Sequence, residues 1–279
     1  MVNIFAFVER RIMKMKEYSI FVTCTIGNVR EKNEDNFYLD GVYRGIDDEQ
    51  ECIIRRKVSA DTSHVIAVFD GMGGEKDGEK ASWLSAKTLA EYEKEMAKTN
   101  RKHFDFHEVI YNLNDAVCRM GKKRKCTMGS TAVIMRINNE QATICNVGDS
   151  RAYIYRNNKL EQLTEDHTVA ADNIRMCKNL GIEYINLGKK ATNTLTQHLG
   201  IEEKEFVLEP AISDKIDMKN GDIYMLCSDG LSHLIDEPEI CEILKKEISI
   251  SDKGEVLSEL ALAAGGTDNI TIVLVEVIN

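Results

Sequence analysis

Val65-Ile66-Ala67-Val68-Phe69-Asp70-Gly71-Met72-Gly73-Gly74 is the stretch around which the chain is organised. Five apolar residues run straight into an aspartate and a glycine-rich segment. A short apolar run bounded by turn residues reads as a buried strand. Gly71, Gly73 and Gly74 then allow a sharp turn and a close approach of backbone to a ligand. An Asp-Gly pair after a strand is, taken alone, an ordinary chain reversal. Recurrence changes its meaning. Asp35 follows a strand and a charged loop, and Asp149 sits in Asn146-Val147-Gly148-Asp149-Ser150-Arg151. Asp229-Gly230 ends Tyr224-Met225-Leu226-Cys227-Ser228, and Asp268 sits in Gly265-Gly266-Thr267-Asp268-Asn269. Five aspartates are therefore expected at sheet rims, four of them within three residues of a glycine.

Carboxylates gathered in space repel unless a cation neutralises them. Hard divalent ions such as Mg2+ and Mn2+ take oxygen ligands of this kind and suit phosphoryl chemistry. No cysteine-histidine set of comparable quality offers zinc. His103 and His107 stand four apart, but the pair straddles a helix start and lacks a third ligand, so it is read as structural.

The rest of the composition is that of an ordinary globular chain. Of 279 residues, 43% are hydrophobic and 29% charged, with two prolines and no low-complexity tract, which favours one compact domain. The formal charge of −10 disfavours a nucleic-acid partner, whose binders carry a basic face. Eight scattered cysteines without a CxxC pair suit reduced thiols in a cytoplasmic protein better than a disulfide framework. No apolar run approaches the ~20 residues of a membrane helix, and Glu9-Arg10-Arg11 follow rather than precede the apolar patch at Ile4 to Val8, so neither a membrane span nor a secretory signal is expected.

Tyr18 to Thr25 reads as a strand, and residues 41 to 63 as a polar, solvated hairpin loop. Two helices follow the glycine segment: Lys80 to Lys98, and one opened by Asp105 with Glu108 placed for a capping box and Gly121 placed to stop it. Thr131 to Ile137, Ala142 to Val147 and Ala152 to Tyr155 read as antiparallel strands with turns at Asn138-Asn139 and Asn157-Asn158. Ile223 to Cys227 and Ile270 to Val277 are further strands, separated by helices at about Glu237 to Glu247 and Asp252 to Ala264. Strands in hairpins and helices in sequential pairs predict an α+β fold of antiparallel sheets covered by helices, not a doubly wound parallel sheet.

In order, Arg30…Asn33-Glu34-Asp35, Asp70-Gly71-Met72-Gly73-Gly74, Met128-Gly129-Ser130-Thr131-Ala132, Asn146-Val147-Gly148-Asp149-Ser150-Arg151-Ala152, Leu163-Thr164-Glu165-Asp166-His167, Cys227-Ser228-Asp229-Gly230-Leu231 and Gly266-Thr267-Asp268-Asn269-Ile270 closely resemble the metal-dependent (type 2C) serine/threonine protein phosphatases, in their bacterial form. The resemblance runs from about Tyr18 to Val277. It implies a four-layer αββα sandwich, two central antiparallel sheets flanked by helix pairs, with residues 1–17 as an extension, 18–279 as a single phosphatase domain and 168–195 as a flap beside the active site. It also implies a dinuclear Mg2+ or Mn2+ site. Asp70 would bridge both ions with the Gly71 carbonyl on one of them, Glu34 and Asp35 would act mainly through bound water, and Asp229 and Asp268 would complete the other ion's ligands. Asp149 matches the position of a weaker third metal, and Arg30 would grip the substrate phosphate in a bidentate fork.

The resemblance further implies hydrolysis of phosphoserine and phosphothreonine in proteins by a water activated between two ions, with no phosphoenzyme. Expected partners are phosphoprotein substrates of a serine/threonine kinase in the same cell, with no nucleic acid and no membrane, and the chain is expected to be a monomer. Met72 stands where eukaryotic members commonly carry a histidine proposed as general acid, so a metal-bound water would have to protonate the leaving group. His233 replaces a usual aspartate tied to the third metal, Lys189-Lys190 stand where the flap usually has other residues, and Gln197 replaces a frequent arginine. Two other readings compete. A pseudophosphatase acting as a binding module predicts a lost metal carboxylate, yet Asp35, Asp70, Asp229 and Asp268 are all present. A two-metal phosphodiesterase or nuclease is disfavoured by the charge of −10.

Overall fold

The computed structural model describes residues 16–48, 51–73, 77–184, 186–202, 204 and 206–278; the expected extension at 1–15 and Gly74 of the glycine-rich segment lie outside them. The chain runs β1 (Glu17–Thr25), β2 (Asp35–Leu39), β3 (Cys52–Ser59), β4 (His64–Gly73), α1 (Gly78–Lys98), α2 (Phe106–Arg124), β5 (Met128–Ser130), β6 (Ala132–Asn138), β7 (Gln141–Val147), β8 (Arg151–Arg156) and β9 (Lys159–Gln162). It continues through α3 (Val169–Leu180), α4 (Lys189–Thr192), β10 (Ala211–Ile212), β11 (Ile216–Asp217), β12 (Ile223–Cys227), α5 (Asp229–Ser232), α6 (Glu237–Lys245), α7 (Ile250–Ala263) and β13 (Ile270–Ile278).

Two antiparallel sheets form. One has the order β3-β1-β13-β12-β8-β9, the other β10-β7-β6-β4-β2, with β11 on β7 and β5 on the end of β4. Their facing surfaces make one core, and the outer surface of each packs on helices: β4 and β6 on α1 and α2, β12 and β13 on α5, α6 and α7. This is the expected αββα sandwich. Strand alternation explains how strands apolar on both faces divide their side chains. In β4, Ile66 and Val68 enter the core between the sheets, whereas Val65, Ala67 and Phe69 face α1 and α2. In β13, Val273, Val275 and Val277 point between the sheets, and Ile270, Ile272 and Leu274 point at α7.

That alternation places the polar rim. The next inward positions beyond these apolar runs are Asp70 in β4, Asp35 in β2, Ser228 after β12 and Thr271 in β13. All four lie at the same end of the sandwich, because Asp35 pairs with Asp70 and Cys227 with Ile272.

Several expectations are corrected. Residues 41–63 are not one solvated loop: β3 occupies Cys52–Ser59 and pairs with β1 from Glu17 to Cys24. Its Cys52, Ile54 and Val58 pack on the core, while the Arg55-Arg56-Lys57 charges that disguise it in sequence guard an exposed sheet edge. Asp105 caps α2 by accepting from the His107 and Glu108 N–H groups, but Glu108 turns to Arg101 and completes no capping box. The helix also passes through Gly121 and ends at Arg124, where Lys125 takes the left-handed conformation and Cys126 N–H bonds the Gly121 carbonyl. The β6–β7 reversal falls on Asn139-Glu140, one residue later than expected, and Asn157-Asn158 makes the β8–β9 turn, all four with positive φ as a type I′ turn requires. The stretch 168–195, expected as a flap, contains two helices: Thr168 caps α3 through the Ala171 N–H, and Gly181 closes it at φ 66°. Lys189 and Lys190 open the short α4.

Candidate active site

Asp70 does not end in a turn. β4 continues to Gly73 by pairing with β5, Gly71 opposite Ser130 and Met72 opposite Gly129. Glycine is needed at 71 for closeness: a Cβ there would lie 2.1 Å from the Gly78 carbonyl oxygen and 2.5 Å from that of Glu34. Thr131 fixes the Asp70 backbone from both sides, its Oγ1 accepting the Asp70 N–H at 3.0 Å and its N–H donating to the Asp70 carbonyl at 2.8 Å.

The other carboxylates arrive from loops. Asp149 lies in the link that carries the chain from β7 to β8, from one sheet to the other. Gly148 bends there at φ +103°, where a Cβ would strike the Thr131 side chain at 2.7 Å. Its N–H donates to His167 Nδ1, and Arg151 grips Asp166 through Nε and Nη2, which holds the link against the segment after β9. Asp229 opens α5, and Asp268 precedes β13. Asn269 ties that region to the loop before β2, accepting from Glu34 N–H and donating to the Ile26 and Lys32 carbonyls, all at 2.8–2.9 Å.

Arg30, Glu34, Asp70, Gly71, Asp149, Asp229 and Asp268 border one open cleft of about 520 Å3, together with Met72, Leu195 and His198. Asp35 lies beneath it, 1% exposed. Ser228 Oγ and Thr271 Oγ1 each donate to Asp35 Oδ2 at 2.7 Å, while Oδ1 has no hydrogen-bond partner among the described residues. The two hydroxyls belong to one sheet and the carboxylate to the other, so the contact clips the sheets together at the rim. The Asp35 carbonyl and that of Asn33 both accept from Arg44 Nη2, at 2.8 and 2.6 Å.

The electrostatics are those of crowded anions. Burial, followed by repulsion from Asp35, Asp229, Asp149 and Asp268, holds the Asp70 carboxyl well above its ordinary range. Burial pushes Asp35 up to about 7 despite its two hydroxyl donors, and pushes Asp149 up to about 7 with Asp229 and Asp166 adding to the effect. Burial would raise Asp229 too, but the His233 hydrogen bond and charge outweigh it and keep this carboxyl low. Arg30 borders the cleft and donates one Nη2 bond to Asp268 Oδ2 at 2.5 Å. A donor set made up mainly of carboxylate oxygens, mutually repelling carboxylates and a buried oxygen without a partner among the described residues fit hard divalent cations.

His233 joins this cluster. Its Nδ1 is 3.3 Å from Asp229 Oδ2, and ligand atoms of Asp149, Asp229 and His233 lie within 4.8 Å of one another. His103 and His107 belong to no such group among the described residues.

Sequence reasoning gave no role to Ser228, Thr271, Asn269, Arg44 or His198. The first two were within reach of it, since they continue the two-residue alternation of β12 and β13. Arg44 carried no signal, because a lone arginine in a polar stretch reads as solvated.

The comparisons agree with this geometry. The protein phosphatase 2C family model matches residues 43–270. The serine/threonine phosphatase stp of Listeria welshimeri is 32% identical over 255 residues, covering 90% of this chain and 92% of the relative. Protein phosphatase PhpP of Streptococcus pneumoniae is 30% identical over 215 residues, 76% of this chain and 85% of that protein. The fold matches the serine/threonine phosphatase of S. agalactiae with a TM-score of 0.74 at 24% identity, over 94% of this chain and all of the other. The catalytic domain of the serine/threonine protein phosphatase PstP, solved with two manganese ions, matches with a TM-score of 0.70 at 25% identity over 94% and 100% of the two chains. With a family model over most of its length and relatives above 30% identity along nearly all of it, this chain belongs to the protein phosphatase 2C family.

Proposed function

We propose that the cleft hydrolyses phosphoserine and phosphothreonine in proteins, and that Asp70, the Gly71 carbonyl, Asp229 and Asp268 would hold the two divalent ions this chemistry uses. Glu34 and Asp35 orient water around the pair, and Asp149 with Asp229 offers a weaker third position beside His233. Bound there, Mg2+ or Mn2+ supplies a nucleophilic water near neutral pH and offsets the charge of the phosphoryl oxygens. Thr131 and Gly71 set the Asp70 backbone, Ser228 and Thr271 hold Asp35 in one rotamer, and Arg30 exchanges Asp268 for the phosphate oxygens.

The observation that carries this reading is the meeting of Arg30, Asp70, Asp149, Asp229 and Asp268 on one cleft in a chain of this family. A binding module without activity is disfavoured, since none of these carboxylates is lost. The substrates are phosphoproteins, taken here to be those of a serine/threonine kinase, and the chain acts as a monomer forming one domain from Tyr18 onward. Cysteines carried as thiols suit a cytoplasmic setting. Among the described residues no helix is long and apolar enough to cross a membrane. The test is turnover of p-nitrophenyl phosphate and a phosphothreonine peptide with Mn2+, with Mg2+ and with EDTA, beside Asp229→Asn. Metal-dependent turnover that collapses in the variant is expected; no turnover in the wild type despite metal binding overturns the reading.

A further inference from the structure

Hydrolysis of a serine or threonine phosphate expels an alkoxide, which needs a proton as the P–O bond breaks. Met72, the residue after the Asp70-Gly71 pair, has none to give. A second side chain occupies the same place. Met72 in β4 is directly opposite Gly129 in β5, and residues directly opposite in an antiparallel pair project from the same face. Gly129 leaves that face bare, and the His198 ring fills it: a Cβ on Gly129 would lie 2.7 Å from His198 Nδ1 and 3.1 Å from Cε1. The ring is thus the cross-strand neighbour of Met72, and both border the cleft with Arg30, Asp70, Asp229 and Asp268.

The imidazole is also held. Leu199 and Ser130 exchange both backbone hydrogen bonds, at 2.8 and 3.1 Å, which anchors the chain beside His198 to β5. His198 Nδ1 lies 2.9 Å from the Leu199 carbonyl oxygen, an acceptor only, so Nδ1 carries the donated proton. Nε2 has no partner among the described residues, and an imidazole can carry a proton on each ring nitrogen.

We propose that His198 is the general acid of this enzyme, its Nε2 protonating the departing serine or threonine oxygen. This rests on the phosphatase reading above. As the water oxygen bonds to phosphorus, it keeps one proton as a phosphate hydroxyl and gives the other to solvent, while the bond from phosphorus to the substrate Oγ breaks. Its electron pair stays on Oγ, which takes the Nε2 proton, and the neutral imidazole recovers a proton from solvent.

The experiment compares the full-length Mn2+ enzyme with His198→Gln and His198→Ala on two substrates. p-Nitrophenolate leaves without a proton, whereas threonine does not. Loss of a general acid costs about 10²–10⁴-fold in rate, so the ratio of p-nitrophenyl phosphate to phosphothreonine-peptide turnover should rise by at least about 10²-fold in both variants. Gln keeps a donor for the Leu199 carbonyl, which separates packing from proton transfer. Adding Met72→His to His198→Gln should recover peptide turnover at the adjacent position. Equal losses on both substrates, or no loss on either, overturn the proposal. If the wild type turns over neither substrate, the phosphatase reading fails instead.

Discussion

Thr271→Val tests whether the cross-sheet clip sets the metal site. The change keeps the branched shape of the side chain and removes one of two hydroxyls that donate to Asp35 Oδ2 at 2.7 Å. Asp35 is buried, and among the described residues its other oxygen has no hydrogen-bond partner. A hydrogen bond to a charged group contributes about 1.5–3 kcal/mol. The hydroxyls favour the ionised carboxylate that divalent ions require, so most of this difference should appear in metal binding. Divided by about 1.4 kcal/mol per decade, it weakens Mn2+ about 10- to 100-fold. Calorimetric titration of Mn2+ into metal-free protein measures it directly, with Thr271→Ser, which restores the donor, as the control. A dissociation constant within about twofold of wild type, for a variant that folds normally, would falsify the claim that this hydroxyl orients Asp35.

Because burial lifts Asp35 and Asp149 to about 7, above the ordinary carboxylate range of the unfolded chain, the metal-free fold binds protons more tightly than the unfolded chain does. These groups therefore contribute most at about pH 4 and below, and that contribution is lost as pH rises towards about 7. Thermal melts of metal-free protein should show the decline, and added Mn2+ should raise the midpoint more near pH 7 than near pH 5; a metal effect independent of pH would contradict it. Arg44→Met should leave the Asn33 and Asp35 carbonyls without their buried donor, at about 1–3 kcal/mol in urea unfolding, and also weaken Mn2+ binding; an unchanged midpoint would show the guanidinium to be dispensable. Gly71→Ala should force the Gly78 and Glu34 backbones apart and abolish turnover, and full activity in that variant would show that the close approach at Asp70 is not required.

What the sequence determined by itself was the periodicity of its strands and the residues at their ends. Val65–Phe69 and Ile270–Val277 are apolar on both faces, so they could only be central strands, and the aspartates that follow or precede such runs had to lie at a rim. The ordered motifs then named the chemistry, because each pairs a carboxylate with the glycine or turn residue that lets it approach a neighbour. Strand β3 escaped notice because an edge strand is half solvated, and three consecutive charges mask its alternation. Gly121 misled because a glycine marks a helix end only where the tertiary packing leaves the chain free to turn.

Other features existed only once the sheets were stacked. Asp35 and its two hydroxyl donors are 193 and 236 residues apart, and burial against them makes it the deepest member of the set. Arg44 becomes a prop for the Asp35 backbone only because the loop after β2 folds back over it. His198 comes to lie beside Met72 only because Leu199 pairs with β5 and Gly129 leaves room for the ring. The chain order fixes which side chains are present and which face of a strand each takes. Distances between carboxylates, the removal of water around them and the resulting shifts in proton affinity belong to the packing of two sheets, which no local pattern encodes.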